Sequence, residues 1–124
     1  MTKALGKAGE DLTSDEYRKL GYKLLEKNYI VPFGKQTGEI DLVFLKDREL
    51  IFVEVKTRTN TKFGGPLDSV DFYKQQKLVR TAKMYLSIHP KFKDYNMRID
   101  VAAVDIDNHD KPVIILQNAI EDLD

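Results

Sequence analysis

Two short apolar runs, Ile40–Leu45 and Leu50–Thr57, are separated only by Lys46-Asp47-Arg48-Glu49, and no other feature constrains the fold as tightly. Each run is rich in β-branched and aromatic residues, and the polar link has turn composition, so the pair predicts a β-hairpin. A two-residue turn at Asp47-Arg48, or a four-residue loop centred on it, pairs Lys46 with Glu49 and sets Asp41 opposite Glu54 and Glu39 opposite Lys56. A three-residue loop breaks that register. Alternation sends Ile51, Val53 and Val55 to one face of the second strand, and Phe52, Glu54 and Lys56 to the other. Glu39 and Asp41 likewise share a face.

This register brings two carboxylates to roughly 5 Å at their Cβ atoms. Like charges directly opposite destabilise a sheet unless one is protonated or a cation lies between them. Lys56, on the same face as Glu54, supplies part of the balance. The set matches what phosphodiester cleavage needs. Two carboxylates hold one or two divalent cations, and a bound metal activates water and polarises the phosphoryl oxygen. A lysine positions the water or neutralises developing charge. The competing reading is an exposed strand face whose Glu and Lys pair across strands.

Around the hairpin the chain reads as helix, strands, helix, strands. Leu5, Ala8, Leu12, Leu20 and Leu24 keep helical spacing over residues 3–27, with Gly21 near the end and Gly9 weakening the first turns. Asn28–Phe33 predicts a short strand, Gly34–Gly38 a turn and Asn60–Pro66 a loop. Asp68 or Ser69 can cap a helix running to about Ile88, which Pro90 stops. Met97–Asp105 predicts a strand, Asn108–Asp110 a turn, Val113–Leu116 a last strand and Asn118–Asp124 a helical or frayed tail. The expected fold class is α/β: a mixed sheet with helices on its faces, in one domain over residues 1–124.

Composition narrows the chemistry. The chain has no cysteine and only His89 and His109, so thiolate sites and cysteine nucleophiles are excluded. Oxygen ligands remain, which favours Mg2+, Mn2+ or calcium. There is no apolar run of signal-peptide or membrane-span length, so a cytoplasmic location without membrane association is expected. Twenty Lys plus Arg balance twenty Asp plus Glu, which argues against a non-specific nucleic-acid coat. The charges are nevertheless segregated: Phe72 to Lys93 holds six bases and no acid.

Further residues join the candidate site. Glu10 lies near the edge of the first helix's apolar stripe, close to Tyr17 on a helical wheel. It is either a third metal-site carboxylate or a solvated glutamate favoured by the helix dipole. In the second long helix, Phe72, Leu78, Val79, Ala82 and Leu86 form an apolar face with Gln75 inside it. A buried glutamine needs partners, either a water or phosphate at the site or a backbone group. Lys74, Lys77, Arg80 and Lys83 lie off that face and can contact phosphates or simply be solvated. Arg58, Lys62, Phe63 and Gly64-Gly65 follow the hairpin as a basic, aromatic loop suited to strand binding. It is not a P-loop, since the Lys-Ser/Thr signature is missing. Both histidines read as surface residues, and Asp100 is left open between a structural role and the wider site.

Gly38-Glu39-Ile40-Asp41-Leu42, followed by Phe52-Val53-Glu54-Val55-Lys56-Thr57-Arg58, resembles the uncharacterised YraN family. That family looks like Holliday-junction-resolvase-like members of the PD-(D/E)xK nuclease superfamily. The resemblance extends through Gly9-Glu10, Gly21-Tyr22, Phe63-Gly64-Gly65, Lys74-Gln75, Arg98 to Val101 and Asn118-Ala119-Ile120. Residues 30–37 run longer than the family's usual link, and Ile30 stands where arginine is common. The resemblance implies a restriction-endonuclease-like fold, with Asp41 and Glu54 as metal ligands and Lys56 as the catalytic lysine. It places Glu10 at an acidic position and Gln75 at a polar one, and makes the Val55 carbonyl a further ligand. The expected function is Mg2+- or Mn2+-dependent endonuclease action on DNA, in preference to RNA, on branched or damaged structures. Arg58, Lys74 and Lys77 are the expected nucleic-acid contacts, and a homodimer would suit symmetric cutting. A non-catalytic nucleic-acid-binding module and a protein-interaction module are the alternatives.

Overall fold

The computed structural model describes residues 3–33, 36–58 and 70–121. In chain order they form α1 (Lys3–Lys19), β1 (Lys23–Phe33), β2 (Gln36–Lys46), β3 (Glu49–Arg58), α2 (Phe72–Ile88), a 3-10 turn (Pro90–Phe92), β4 (Asn96–Asp105) and β5 (Val113–Leu116). The strands make a five-stranded mixed sheet in the order β1-β2-β3-β4-β5. Only the β3–β4 pair is parallel, and α2 lies on the crossover between them.

The hairpin takes the expected register. Lys46 pairs with Glu49 across the two-residue turn Asp47-Arg48, and Leu42 with Val53. Asp47 sits at φ 54°, a left-handed conformation that Asp tolerates and such turns require. Side chains then alternate between two cores. Tyr17 of α1 packs with Leu42, Phe44, Ile51 and Val53 on one face. Val79, Ala82 and Tyr85 of α2 pack with Val43, Leu50 and Phe52 on the other. The sheet is therefore flanked by a helix on each face.

Five expectations are corrected. The first helix ends at Lys19, not at residue 27. Gly21, at φ 93°, lets its N–H reach the Arg18 carbonyl and that of Tyr22 reach Tyr17, which closes the helix. Leu24 thus belongs to β1, opposite Phe44, so the leucine spacing continued past a cap that had already stopped the helix. Asp71 is the α2 cap, its side chain accepting the Lys74 N–H at 2.8 Å. Asp68 and Ser69, like the Asn60–Pro66 loop, lie outside the described residues. Phe72 is not on the apolar face but 65% exposed. The chain after β5 turns at Asn118 (φ 50°) instead of starting a helix, and drops Ile120 into the α2-side core. His89 is half-buried, stacked on Tyr85 at 4.0 Å. No helix among the described residues is long and apolar enough to cross a membrane.

Candidate active site

The sheet forks at Asp41. β2 stays paired with β1 from Leu45 to Gln36, but with β3 only as far as Leu42–Val53. Beyond that point β3 continues alongside β4 to Arg58. The ladder pairs expected for Asp41 with Glu54 and Glu39 with Lys56 are therefore not made. Instead the Asp41 carboxylate takes the place of the lost strand and accepts the Val55 N–H at 2.9 Å. A backbone donor that would otherwise be orphaned is satisfied by a side chain.

The same point turns β2 over. Leu42 and Phe44 join the α1-side core, yet Ile40, which alternation would place with them, packs in the α2-side core. Across the β1–β2 pair, Asn28 sits between the Lys27–Leu42 and Tyr29–Ile40 partners with φ 51°. Asn is the residue type that adopts this conformation most readily apart from glycine. Its side chain donates to Glu10 Oε1 at 3.0 Å, tying the twist to α1.

The fork opens a cavity of about 250 Å³ whose walls include Asp41, Glu54, Lys56, Lys74, Lys77 and Thr81. Lys56 Nζ lies 3.3 Å from Glu54 Oε1. Burial and then the charge of Glu54 push the Asp41 carboxyl up to about 8, against the pull of the Val55 N–H, and the Glu10 charge adds to the rise. Two acids thus share a place where one charge is tolerated more easily than two.

Of the residues singled out by sequence, Asp41, Glu54, Lys56, Lys74 and Lys77 meet in this cavity, and the Val55 N–H is bonded to the Asp41 that lines it. Glu10 lines a neighbouring cavity of about 600 Å³ with Lys3, Lys7, Lys27 and Asn28, and Glu39 is common to both. Gln75 points elsewhere: its amide donates to the Val70 carbonyl at 2.9 Å, the backbone alternative that the sequence left open. Arg58 ends β3, its carbonyl accepting the Ile106 N–H, and does not line the cavity. Asp100 is structural. It is fully buried on the α1 side and accepts from Tyr17 Oη (2.6 Å), Arg98 Nε (2.9 Å) and the Asn118 N–H (2.8 Å). Sequence reasoning missed Thr81 as a wall residue and Asn28 as the twist. The legible signal for Asn28 was an asparagine interrupting an otherwise strand-like run.

Among the described residues, no three His, Asp or Glu side chains converge as a ready-made metal cage. The donor set is a carboxylate pair. Fold and cavity define an α/β protein with three acids, Glu39, Asp41 and Glu54, and three lysines at a split in its sheet. Residues 9–104 match the uncharacterised protein family UPF0102, and the chain belongs to that family, which the sequence resembles under the name YraN. A UPF0102 protein of Caldanaerobacter subterraneus subsp. tengcongensis is 45% identical over 102 residues, 82% of this chain and 80% of that protein. A UPF0102 protein of Thermodesulfovibrio yellowstonii is 42% identical over 115 residues, 93% and 94% of the two chains. One of Stutzerimonas stutzeri is 36% identical over 116 residues, 94% and 93% of the two chains.

Proposed function

We propose that the chain is a metal-dependent endonuclease that hydrolyses phosphodiester bonds in DNA, on branched or damaged structures. The observation that carries this reading is the meeting of Asp41, Glu54 and Lys56 in one open cavity walled by Lys74 and Lys77. The mixed sheet between two helices, with its site where the hairpin opens, also supports a restriction-endonuclease-like core.

The residues fit Mg2+ or Mn2+. Such ions bind through one or two carboxylates and keep waters and substrate oxygens for the rest of the shell, so Asp41 and Glu54 are enough without Glu39 as a ligand. In a β-strand the N–H and C=O of one residue project to the same side. The Val55 carbonyl therefore faces the fork where its N–H meets Asp41 and can serve as a further ligand. Glu10, one layer away and bonded to Asn28, would act through water or through its charge. The cation, when bound, supplies charge that both carboxylates lack and lowers the pKa of its water. Lys56 then holds the attacking water beside Glu54 or neutralises the developing phosphorane charge. Lys74 and Lys77 draw the phosphate backbone to the cavity mouth. Gln75 donates to the carbonyl of Val70, itself a wall of the cavity, and would act by holding that wall in place.

The test is incubation with Mg2+ or Mn2+ and labelled single-stranded, duplex, flap and four-way-junction DNA, plus RNA, beside Asp41→Ala and Glu54→Ala. Metal-dependent cutting that disappears in both variants is expected. Cutting that survives both overturns the site. Binding without cutting would assign a non-catalytic nucleic-acid module instead.

A further inference from the structure

Helix α2 offers more than a cavity wall. Lys74 and Lys77 face the cavity. Residues four apart on a helix stack on one side, so Tyr73 lies one turn before Lys77 on the same flank. Tyr73 is 69% exposed and Phe72 65%, and among the described residues with a large exposed apolar side chain these two are the aromatic ones. Successive helical residues point about 100° apart, so the two rings do not share a face. Tyr73 therefore lies on the flank of α2 next to Lys77, outside the cavity's own walls, whereas Phe72 lies over Gln76 on the side away from Lys74, Lys77 and Thr81. The stretch from Phe72 to Lys93 contains no acid to repel an anion.

An exposed ring on the same helix flank as a lysine that lines the cavity recognises one chemistry well: a polyanion whose flat bases are free to stack. Bases inside a continuous duplex already stack on each other and cannot use an outside ring, whereas every unpaired base has a free face. We propose that Tyr73 is a stacking platform for an unpaired base next to the phosphate drawn in by Lys74 and Lys77. The site therefore takes nucleic acid with unpaired nucleotides in preference to continuous duplex. This inference rests on the nuclease reading of the same cavity and names its substrate class.

The experiment measures fluorescence anisotropy of labelled oligothymidine, a flap and a blunt duplex with Asp41→Asn protein in Mg2+, and cutting of the same flap and duplex by protein with native Asp41. Tyr73→Ala is expected to weaken oligothymidine and flap binding about tenfold, the size of one lost base stack, with duplex binding unchanged. Tyr73→Phe is expected to restore it, and Phe72→Ala to leave it unaltered. Both positions are exposed, so neither change threatens the fold. A silent Tyr73→Ala, an equal loss on duplex, or an equal loss from Phe72→Ala overturns the stacking platform. If Tyr73→Ala cuts flap and duplex in an unaltered ratio, the platform fails while the nuclease reading stands. If no nucleic acid is bound or cut by any form, both fail.

Discussion

Asp100 and Asp41 sit on opposite faces of one sheet and meet opposite treatment. Asp100, on the α1 side, is enclosed by donors: the Arg98 guanidinium, the Tyr17 hydroxyl and the Asn118 N–H. Arg98 extends the network to Glu49 at 3.0 Å and Tyr22 at 3.3 Å. Burial and the hydrogen bond to Asp100 raise the Tyr17 hydroxyl well above its ordinary range, so it stays a donor. Asp41, on the α2 side, has one backbone donor among the described residues and faces a second carboxylate. Evolution can satisfy a buried acid on this sheet, and at Asp100 it did. Leaving Asp41 against Glu54 is a local inconsistency of the kind the proposed site would carry.

The largest effect is expected on the satisfied side. Asp100→Ala removes the partner of a largely buried guanidinium and leaves Arg98, Tyr17 and the Asn118 N–H short of an acceptor. A loss of about 3–5 kcal/mol in urea unfolding is expected, as for other broken buried pairs. A loss below about 1 kcal/mol would show that water replaces the carboxylate easily, and the contrast with Asp41 would dissolve.

These two sites were not equally legible in the sequence. Asp41, Glu54 and Lys56 could be read because strand alternation and a two-residue turn fix a register, and the register found is the expected one over the pairs that form. What alternation cannot show is where two strands separate, since that depends on β1 holding β2 away and on the Asn28 twist. Asp100 was ambiguous for a related reason: its donors come from α1, from β4 itself and from the turn after β5. Only tertiary structure brings them together. The helix–strand boundary at Gly21 failed because leucines spaced four apart fit a helix on either side of the cap. Gln75 stayed open because a glutamine on an apolar stripe reads alike whether it reaches a site or a carbonyl, and its amide is found on the Val70 carbonyl.

A second test lies between the two faces. Gly9 of α1 packs against Thr57, the residue after Lys56. A Cβ at Gly9 would run into Thr57 Oγ1; turning that hydroxyl away still leaves Thr57 Cβ at 3.1 Å, so α1 or β3 must give by a few tenths of an ångström, against a β-branched side chain that is stiff at χ1. Helix propensity alone predicts that Gly9→Ala stabilises by up to about 1 kcal/mol. The close approach predicts the reverse, a loss of about 2 kcal/mol from forcing α1 off β3. The sign of the change in thermal or urea unfolding decides, and a stabilised variant would remove the tight α1–β3 contact as the reason for this glycine.

The smallest expected effect on stability has the opposite sign and falls on Asp41. Asp41→Asn keeps an oxygen to accept the Val55 N–H and deletes the repulsion with Glu54. A gain of about 1 kcal/mol at pH 8 is expected, of the size found when a strained active site is relaxed, together with loss of any metal-dependent cutting. The pH dependence gives the finer reading. Because Asp41 holds its proton more tightly folded than unfolded, its stabilising contribution is complete below the ordinary carboxyl value of 3.8. It is lost as pH rises through the window up to about 8. Metal-free protein should therefore lose thermal stability across that window, and Asp41→Asn should flatten the slope. Mg2+ or Mn2+ should restore the native chain most at the alkaline end, where Asp41 has lost its proton and a cation is worth most. An unchanged slope in Asp41→Asn would mean that the pair is already relieved by Lys56, and that Asp41 is treated no worse than Asp100.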